Sequence, residues 1–184
     1  GKWINSPGRA LLNKLKKDLG DDYLPIIAED LGVITHDVEK LRDNFELPGM
    51  KILQFAFDGN ENNPYLPKNI EGVNWVVYTG THDNSTSTSW WECLDKNVKT
   101  KLNDDYKLFN NPSWDLMEIG MKTKANLFIA PIQDILSLDD SCRLNKPGTI
   151  KNNWRWKLNK PLEEIESYLK QFGDRGNNYG RRRN

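Results

Sequence analysis

Short apolar runs alternate along this chain with longer stretches whose apolar residues recur every three or four positions. Four of the runs have strand length, at 24–28, 50–57, 73–78 and 125–131. Most are bounded by Gly, Pro, Asn or Asp. An apolar run closed in that way reads as a strand buried on both faces, the kind found in parallel sheets. Helical periodicity fills the intervals. Residues 9–19 place Leu11, Leu12, Leu15 and Leu19 on one face before Gly20. Thr35 is an N-cap for a helix carrying Val38, Leu41 and Phe45, which stops near Pro48-Gly49. Further helices are predicted to begin within 85–94, to span 114–124, and to span 161–172 with Leu162, Ile165, Tyr168 and Leu169 on the buried side. Residues 58–68 and 144–149, rich in Asn, Gly and Pro, read as loops, and 103–112 as a polar irregular stretch.

Buried strands alternating with helices predict an α/β fold with a parallel sheet wrapped by helices. Ligands in such folds sit beyond the carboxyl ends of the strands. Those ends carry Glu29 and Asp30, then Gln54 and Phe55, then His82, Asp83 and Asn84, then Gln133 and Asp134. A carboxyl group leaving a dry strand can hold its proton and serve as an acid. Glu29 and Asp30 equally suit a helix start, where acidic residues are favoured. The arrangement fits the ligand face of a TIM (β/α)8 barrel, but a full barrel has eight strands and about 250 residues. Half a barrel leaves two unpaired edges. The chain is therefore either a smaller open sheet or part of something larger, and the second reading is adopted.

Composition narrows the function. The 26 basic residues balance 26 acidic ones, which leaves no cationic excess for a nucleic-acid backbone. Gly180-Arg-Arg-Arg-Asn184 reads as a solvated end. Two cysteines, Cys93 and Cys142, without a CxxC pair, and only two histidines give neither a disulfide framework nor a metal site. No cofactor is expected. No apolar run approaches the roughly 20 residues of a membrane span and no leader opens the chain, so a soluble protein with no membrane partner is expected. The seven tryptophans are the informative excess. Trp75 lies in an apolar run and reads as core. Trp90-Trp91, Trp154 and Trp156 have polar neighbours and suit either a groove in which they stack on sugar rings or core and interface packing, the commoner fate of a Trp.

Five motifs, the last in two pieces, carry a resemblance. AEDLGVIT (28–35), LPGMKILQFAF (47–57), YTGTHDN (78–84), APIQDIL (130–136), LNKPGT (144–149) and NWRW (153–156), in this order, closely resemble the C-terminal portion of the amylomaltases. These are 4-α-glucanotransferases, or disproportionating enzymes, of the α-amylase superfamily. The resemblance runs from Trp3 to about Phe172. It implies strands five to eight of the barrel, so that residues 1–184 form a partial catalytic barrel. It implies that Glu29 is the general acid/base at the end of strand five. Asp83 would be the carboxylate at the end of strand seven that binds sugar hydroxyls and favours ring distortion. His82 would contact substrate; a structural histidine bonded to nearby backbone is the alternative. Gln54 and Phe55 would lie on strand six against the acceptor-side sugar, and Asn145 would reach the acceptor side from its loop. Leu144 stands where the family commonly has Met, with no chemistry at stake.

Retaining transfer needs a nucleophilic carboxylate about 5–5.5 Å from the acid/base. The family's nucleophile is an aspartate in an RIDHFRG-like motif at the end of strand four, and the chain contains no such motif. Asp30 belongs to the AED segment and is not taken for it. The resemblance thus implies a fragment, inactive alone, whose partners are maltooligosaccharides or starch- and glycogen-derived glucans and the N-terminal half of the same enzyme. A glucan-binding fragment without chemistry and a hydrolase of the same superfamily are the alternatives. Cytoplasm is expected, and a plastid is compatible.

Overall fold

A computed structural model of the chain describes residues 2, 4–106 and 111–181. Three strands, β1 (Gly49–Ile52), β2 (Trp75–Tyr78) and β3 (Leu127–Ile129), form one parallel sheet in that order. Lys51 pairs with Val77 and Val77 with Phe128, so these three share a face, while Ile52, Tyr78 and Ile129 share the other. Helices α1 (Gly8–Leu19) and α2 (His36–Asn44) precede β1. Between β2 and β3 come α3 (Ser87–Cys93), α4 (Lys96–Tyr106) and α5 (Pro112–Lys122). The short α6 (Ile132–Ile135) and the long α7 (Leu162–Asn178) follow β3.

The face of Val77 is covered. It packs with Leu53, Leu116, Ile119 and Ala125, and Phe57, Trp90 and Phe128 close the margins. Helix α5 can come this close because Gly120 has no side chain: a Cβ there would lie 2.6 Å from Cδ2 of Phe128. A second cluster holds α1 and α2 around Leu24, Phe45 and Leu47, and a third joins Trp114, Met117 and Ile135 to Phe172 of α7. The other face is open at β3, where Leu127 and Ile129 remain 48% and 42% exposed.

Several predicted elements change shape. Residues 24–28 are extended but outside the ladder. One backbone bond, Ala28 N–H to Pro48 C=O at 2.8 Å, ties them beside β1. The next rung is taken by a side chain, since Met50 N–H donates to Asp30 Oδ1 at 2.7 Å. Asp30 is also ion-paired with Arg42, whose guanidinium lies 4.7 Å from the Trp75 ring centroid. Trp75 is accordingly half-buried rather than core, with Lys51 on it at 4.0 Å. The strand expected over 50–57 ends at Ile52, and Leu53–Phe55 turn as a 3-10 helix. The stretch expected to be irregular begins inside α4, and 107–110 lie outside the described residues. Helix α7 runs past 172 to Asn178. Of its four expected inward residues Ile165 is buried, while Leu162, Tyr168 and Leu169 are exposed, as are Leu11 and Leu19 of α1. The buried side expected for α7 is thus formed at Ile165 but not at the other three, and that of α1 at Leu12 and Leu15, which pack on the Leu24 cluster.

Gly120→Ala should cost about 1–3 kcal/mol through overpacking against Phe128, exceeding the roughly 1 kcal/mol by which alanine favours a helix. Urea unfolding should show a lower midpoint with an unchanged slope; an equal or higher midpoint would contradict the close approach.

Candidate active site

The sheet delivers its loops to one end through a buried carboxylate. Asp134, at the start of the segment after β3, is sealed from solvent. It accepts from Thr79 Oγ1 (2.6 Å) just past β2, and from Ser87 N–H and Ser87 Oγ (2.7 Å each) at the start of α3. Burial pushes its pKa above the usual aspartate value, outweighing the three donors. The loop between Thr79 and Ser87 is further bound to its surroundings. Gly80 passes so close to Gln54 that a Cβ would lie 2.8 Å from its amide nitrogen. Gln54 Nε2 donates to Ser85 C=O at 2.9 Å. Asn84 folds back to accept from Thr81 N–H and Oγ1. Thr86 caps α3, and its N–H donates to Asp140 Oδ1 at 2.8 Å.

At the tip of this loop His82 and Asp83 are half-exposed, with His82 Nε2 3.3 Å from Asp83 Oδ1. The following loop arrives from the other side. Asn145 donates its side-chain amide to Asp83 Oδ1 (2.6 Å) and its N–H to His82 C=O (3.1 Å). Arg143 staples the two loops: Nη2 donates to Asp83 C=O (2.7 Å), Nε to Asn145 C=O (2.8 Å), and Nη1 to Ser85 Oγ (3.1 Å). Trp154 lies against the His82 ring, centroids 5.1 Å apart. Behind them a cavity of about 150 Å³ is lined by His82, Thr86, Gln133, Asp134, Arg143 and Leu144. An exposed carboxylate, an imidazole, a carboxamide and an indole side by side can bind hydroxyls and an apolar ring face together. A larger groove of about 680 Å³ lies between the loop after β1 and α4, and none of the expected site residues lines it.

Three of the sequence-predicted residues, His82, Asp83 and Asn145, are in direct contact. Gln54 reaches them through Ser85, its amide engaged with backbone. Phe55 is not among these contacts and lies edge-on to Tyr65 at 5.6 Å. Glu29 is exposed, so the dry surroundings expected for it are not formed here. Among the described residues no hydrogen bond or ion pair joins it to the Asp83 cluster. Arg143 was not singled out by sequence. A lone arginine in a loop has no periodic signal, and two of its four partners are backbone carbonyls. Trp154 was marked only by its polar neighbours.

A family model described as 4-alpha-glucanotransferase matches residues 1–163. The chain belongs to the 4-alpha-glucanotransferase family. The family member of Synechocystis sp. is 43% identical over 189 residues, covering 99% of this chain and 36% of that protein. The chloroplastic/amyloplastic 4-alpha-glucanotransferase of Arabidopsis thaliana is 41% identical over 185 residues, covering 98% of this chain and 32% of that protein. Among solved structures, amylomaltase from Streptococcus agalactiae in complex with acarbose superposes with a TM-score of 0.89 at 33% identity, covering 100% of this chain and 37% of that one. The chain thus spans about a third of the length of these 4-alpha-glucanotransferases. Among the described residues no helix is long and apolar enough to cross a membrane.

Asp134→Ala leaves three buried donors without their acceptor, at about 1–3 kcal/mol each where water cannot replace it, and should lower stability by about 3 kcal/mol or more. Asp134→Asn keeps one acceptor oxygen and should cost less. A raised folded pKa contributes stability that is fully present below the unfolded value and is lost as pH rises through the folded one. The stability gap between wild type and Asp134→Asn, measured by urea unfolding, should therefore narrow as pH rises from about 3.8. A gap that widens with pH would contradict the raised carboxyl.

Proposed function

We propose that this chain is the acid/base-bearing part of a 4-α-glucanotransferase that moves α-1,4-glucan segments between maltooligosaccharides. Residues 24–28 and strands β1, β2 and β3 are then strands five to eight of the (β/α)8 barrel, and residues 1–184 a part of it. The parallel order and the uncovered apolar side chains of β3 support that placement. The observation that carries the function is the convergence of Asp83, His82 and Asn145, from two loops stapled by Arg143, on one solvent-facing corner. It gathers the hydrogen-bonding groups a glucosyl ring needs at the ligand end of a parallel sheet.

In this reading Glu29 protonates the leaving glycosidic oxygen while a carboxylate outside the chain attacks the anomeric carbon. Glu29 then takes the proton from the 4-hydroxyl of an incoming sugar, which displaces that carboxylate with net retention. Asp83 holds sugar hydroxyls in the distorted ring, and Asn145 and His82 fix its position beside it. Gln54 supports the loop from below, and Phe55 contributes to the acceptor-side wall. An acid of this kind must be kept from water to hold its proton. The remainder of the barrel would supply that shield together with the nucleophile. The partners are glucans and that N-terminal portion, and the compartment is the cytoplasm, or the plastid in a plant or alga.

The purified chain should produce no glucose from maltotriose. Adding or fusing the N-terminal portion of a relative that carries the aspartate motif should restore disproportionation, and Glu29→Gln in the reconstituted enzyme should abolish it. Turnover by the chain alone, abolished by Glu29→Gln, would overturn the reading. The chain should still bind maltoheptaose in calorimetry. Asp83→Asn should weaken that binding about tenfold or more, the worth of one charge-assisted hydrogen bond.

A further inference from the structure

The loop that carries Asn145 closes on itself at Trp154. Trp154 N–H donates to Leu144 C=O at 2.7 Å. Within the loop, Asn153 accepts from Lys146 N–H (3.0 Å) and donates to Thr149 C=O (2.9 Å), while Thr149 Oγ1 donates to Lys146 C=O (2.7 Å). Asn145 and Trp154, nine positions apart, are therefore delivered to the same corner. The closure holds Trp154 at φ 60°, a left-handed conformation that is unfavourable for a bulky aromatic residue. The usual compensation for placing an indole at such a position is burial, and here it is absent: Trp154 is 61% exposed. Trp75, Trp90 and Trp114, by contrast, pack against or within apolar clusters. The Trp154 ring lies against His82, with the planes tilted by 37°. Most of the residue is open to solvent, and the His82 it touches is joined to both Asp83 and Asn145.

A rigidly held, exposed indole beside a carboxylate and a carboxamide matches the two-sided character of a pyranose. The C–H face of the sugar seeks an aromatic surface, and its rim of hydroxyls seeks acceptors and donors. We propose that Trp154 is a sugar-stacking residue, receiving the apolar face of a glucosyl ring whose hydroxyls bond Asp83 and Asn145. This rests on the glucan reading above and adds to it the surface that orients the ring. A purely structural role, bracing His82, is the competing account, and the two differ in what removal of the ring does to stability.

The test is calorimetry with maltoheptaose alongside urea unfolding, on wild type, Trp154→Gly and Trp154→Phe. Glycine removes the ring and relieves the left-handed strain. The expected result is an unchanged or higher unfolding midpoint for Trp154→Gly with binding roughly five- to tenfold weaker, as for loss of an aromatic contact. Trp154→Phe, which keeps a ring, should bind within about threefold of wild type. Trp154→Gly that binds as wild type, or that loses stability together with binding, would overturn the stacking role while leaving the glucan reading intact. No maltoheptaose binding by wild type would instead sink the glucan reading, and the stacking role with it.

Discussion

A single buried carboxylate sets the geometry on which everything at the ligand end depends. Asp134 binds the residue after β2, the first turn of α3 and, through its own backbone, the segment after β3. Three donors converge on it, and burying a carboxylate without them would be prohibitive. Satisfied, it fixes both ends of the loop from Thr79 to Ser87 and so leaves its tip little freedom. Asp140 repeats the device one layer outward. It accepts from Thr86 N–H and donates its own N–H to Ser89 Oγ. From there Arg143, 3.5 Å from Asp140, carries the order to Asp83 and Asn145. The corner that faces solvent is thus held from behind by Asp134, Asp140 and Arg143.

The acidic pair at the other side of the sheet divides its labour in the same way. Asp30 faces inward, accepting from Met50 N–H and pairing with Arg42. It lies so close to Gly49 that a Cβ would come within 2.5 Å of its oxygen. Its neighbour Glu29 is left to solvent. Burial of the Arg42 guanidinium opposes its charge, but Asp43 and Asp30 more than compensate and raise its pKa. Lys51 on the same ring of Trp75 is shifted down, first by burial. One acid of AED anchors the segment to β1, and the other is kept available. On the proposed reading, the adjacent carboxylates divide into a structural acid and a chemical one by their opposite environments.

Much of this was legible in the residues themselves. Polar residues do gather beyond β2 and β3, where Thr79 and Ser87 meet Asp134, because a buried strand must stop where its polar groups begin. His82, Asp83 and Asn145 do meet. Where the reading failed, the deciding forces were tertiary. Residues 24–28 have the composition of a strand, but one backbone bond and the Asp30 carboxylate replace a ladder. The 50–57 run is apolar throughout, yet Leu53 turns inward to the core and the backbone tightens around it. The Lys- and Asn-rich stretch containing α4 is helical although few of its residues are apolar; Leu102 alone is buried in it. Trp154 lies in a turn-rich region, and nothing in its spacing reveals a left-handed backbone or a partner at position 82.

The exposed apolar surface and the exposed acid belong to one physical problem. Leu127, Ile129, Leu162 and Ile27 present uncovered apolar surface. On the proposed reading this is the side on which a barrel closes. Closure would add apolar walls near the carboxyl ends of residues 24–28 and β3, the very change that lets a carboxyl group keep its proton. The contacts that stabilise the closed sheet and the dry environment that makes Glu29 an acid would then arise in the same step. Asp83, Asn145 and Trp154 need no such step, because their positions are fixed by bonds within this chain. On the glucan reading, sugar binding and bond cleavage are thereby separable: the first would rest on these loops, and the second on a surface they do not supply.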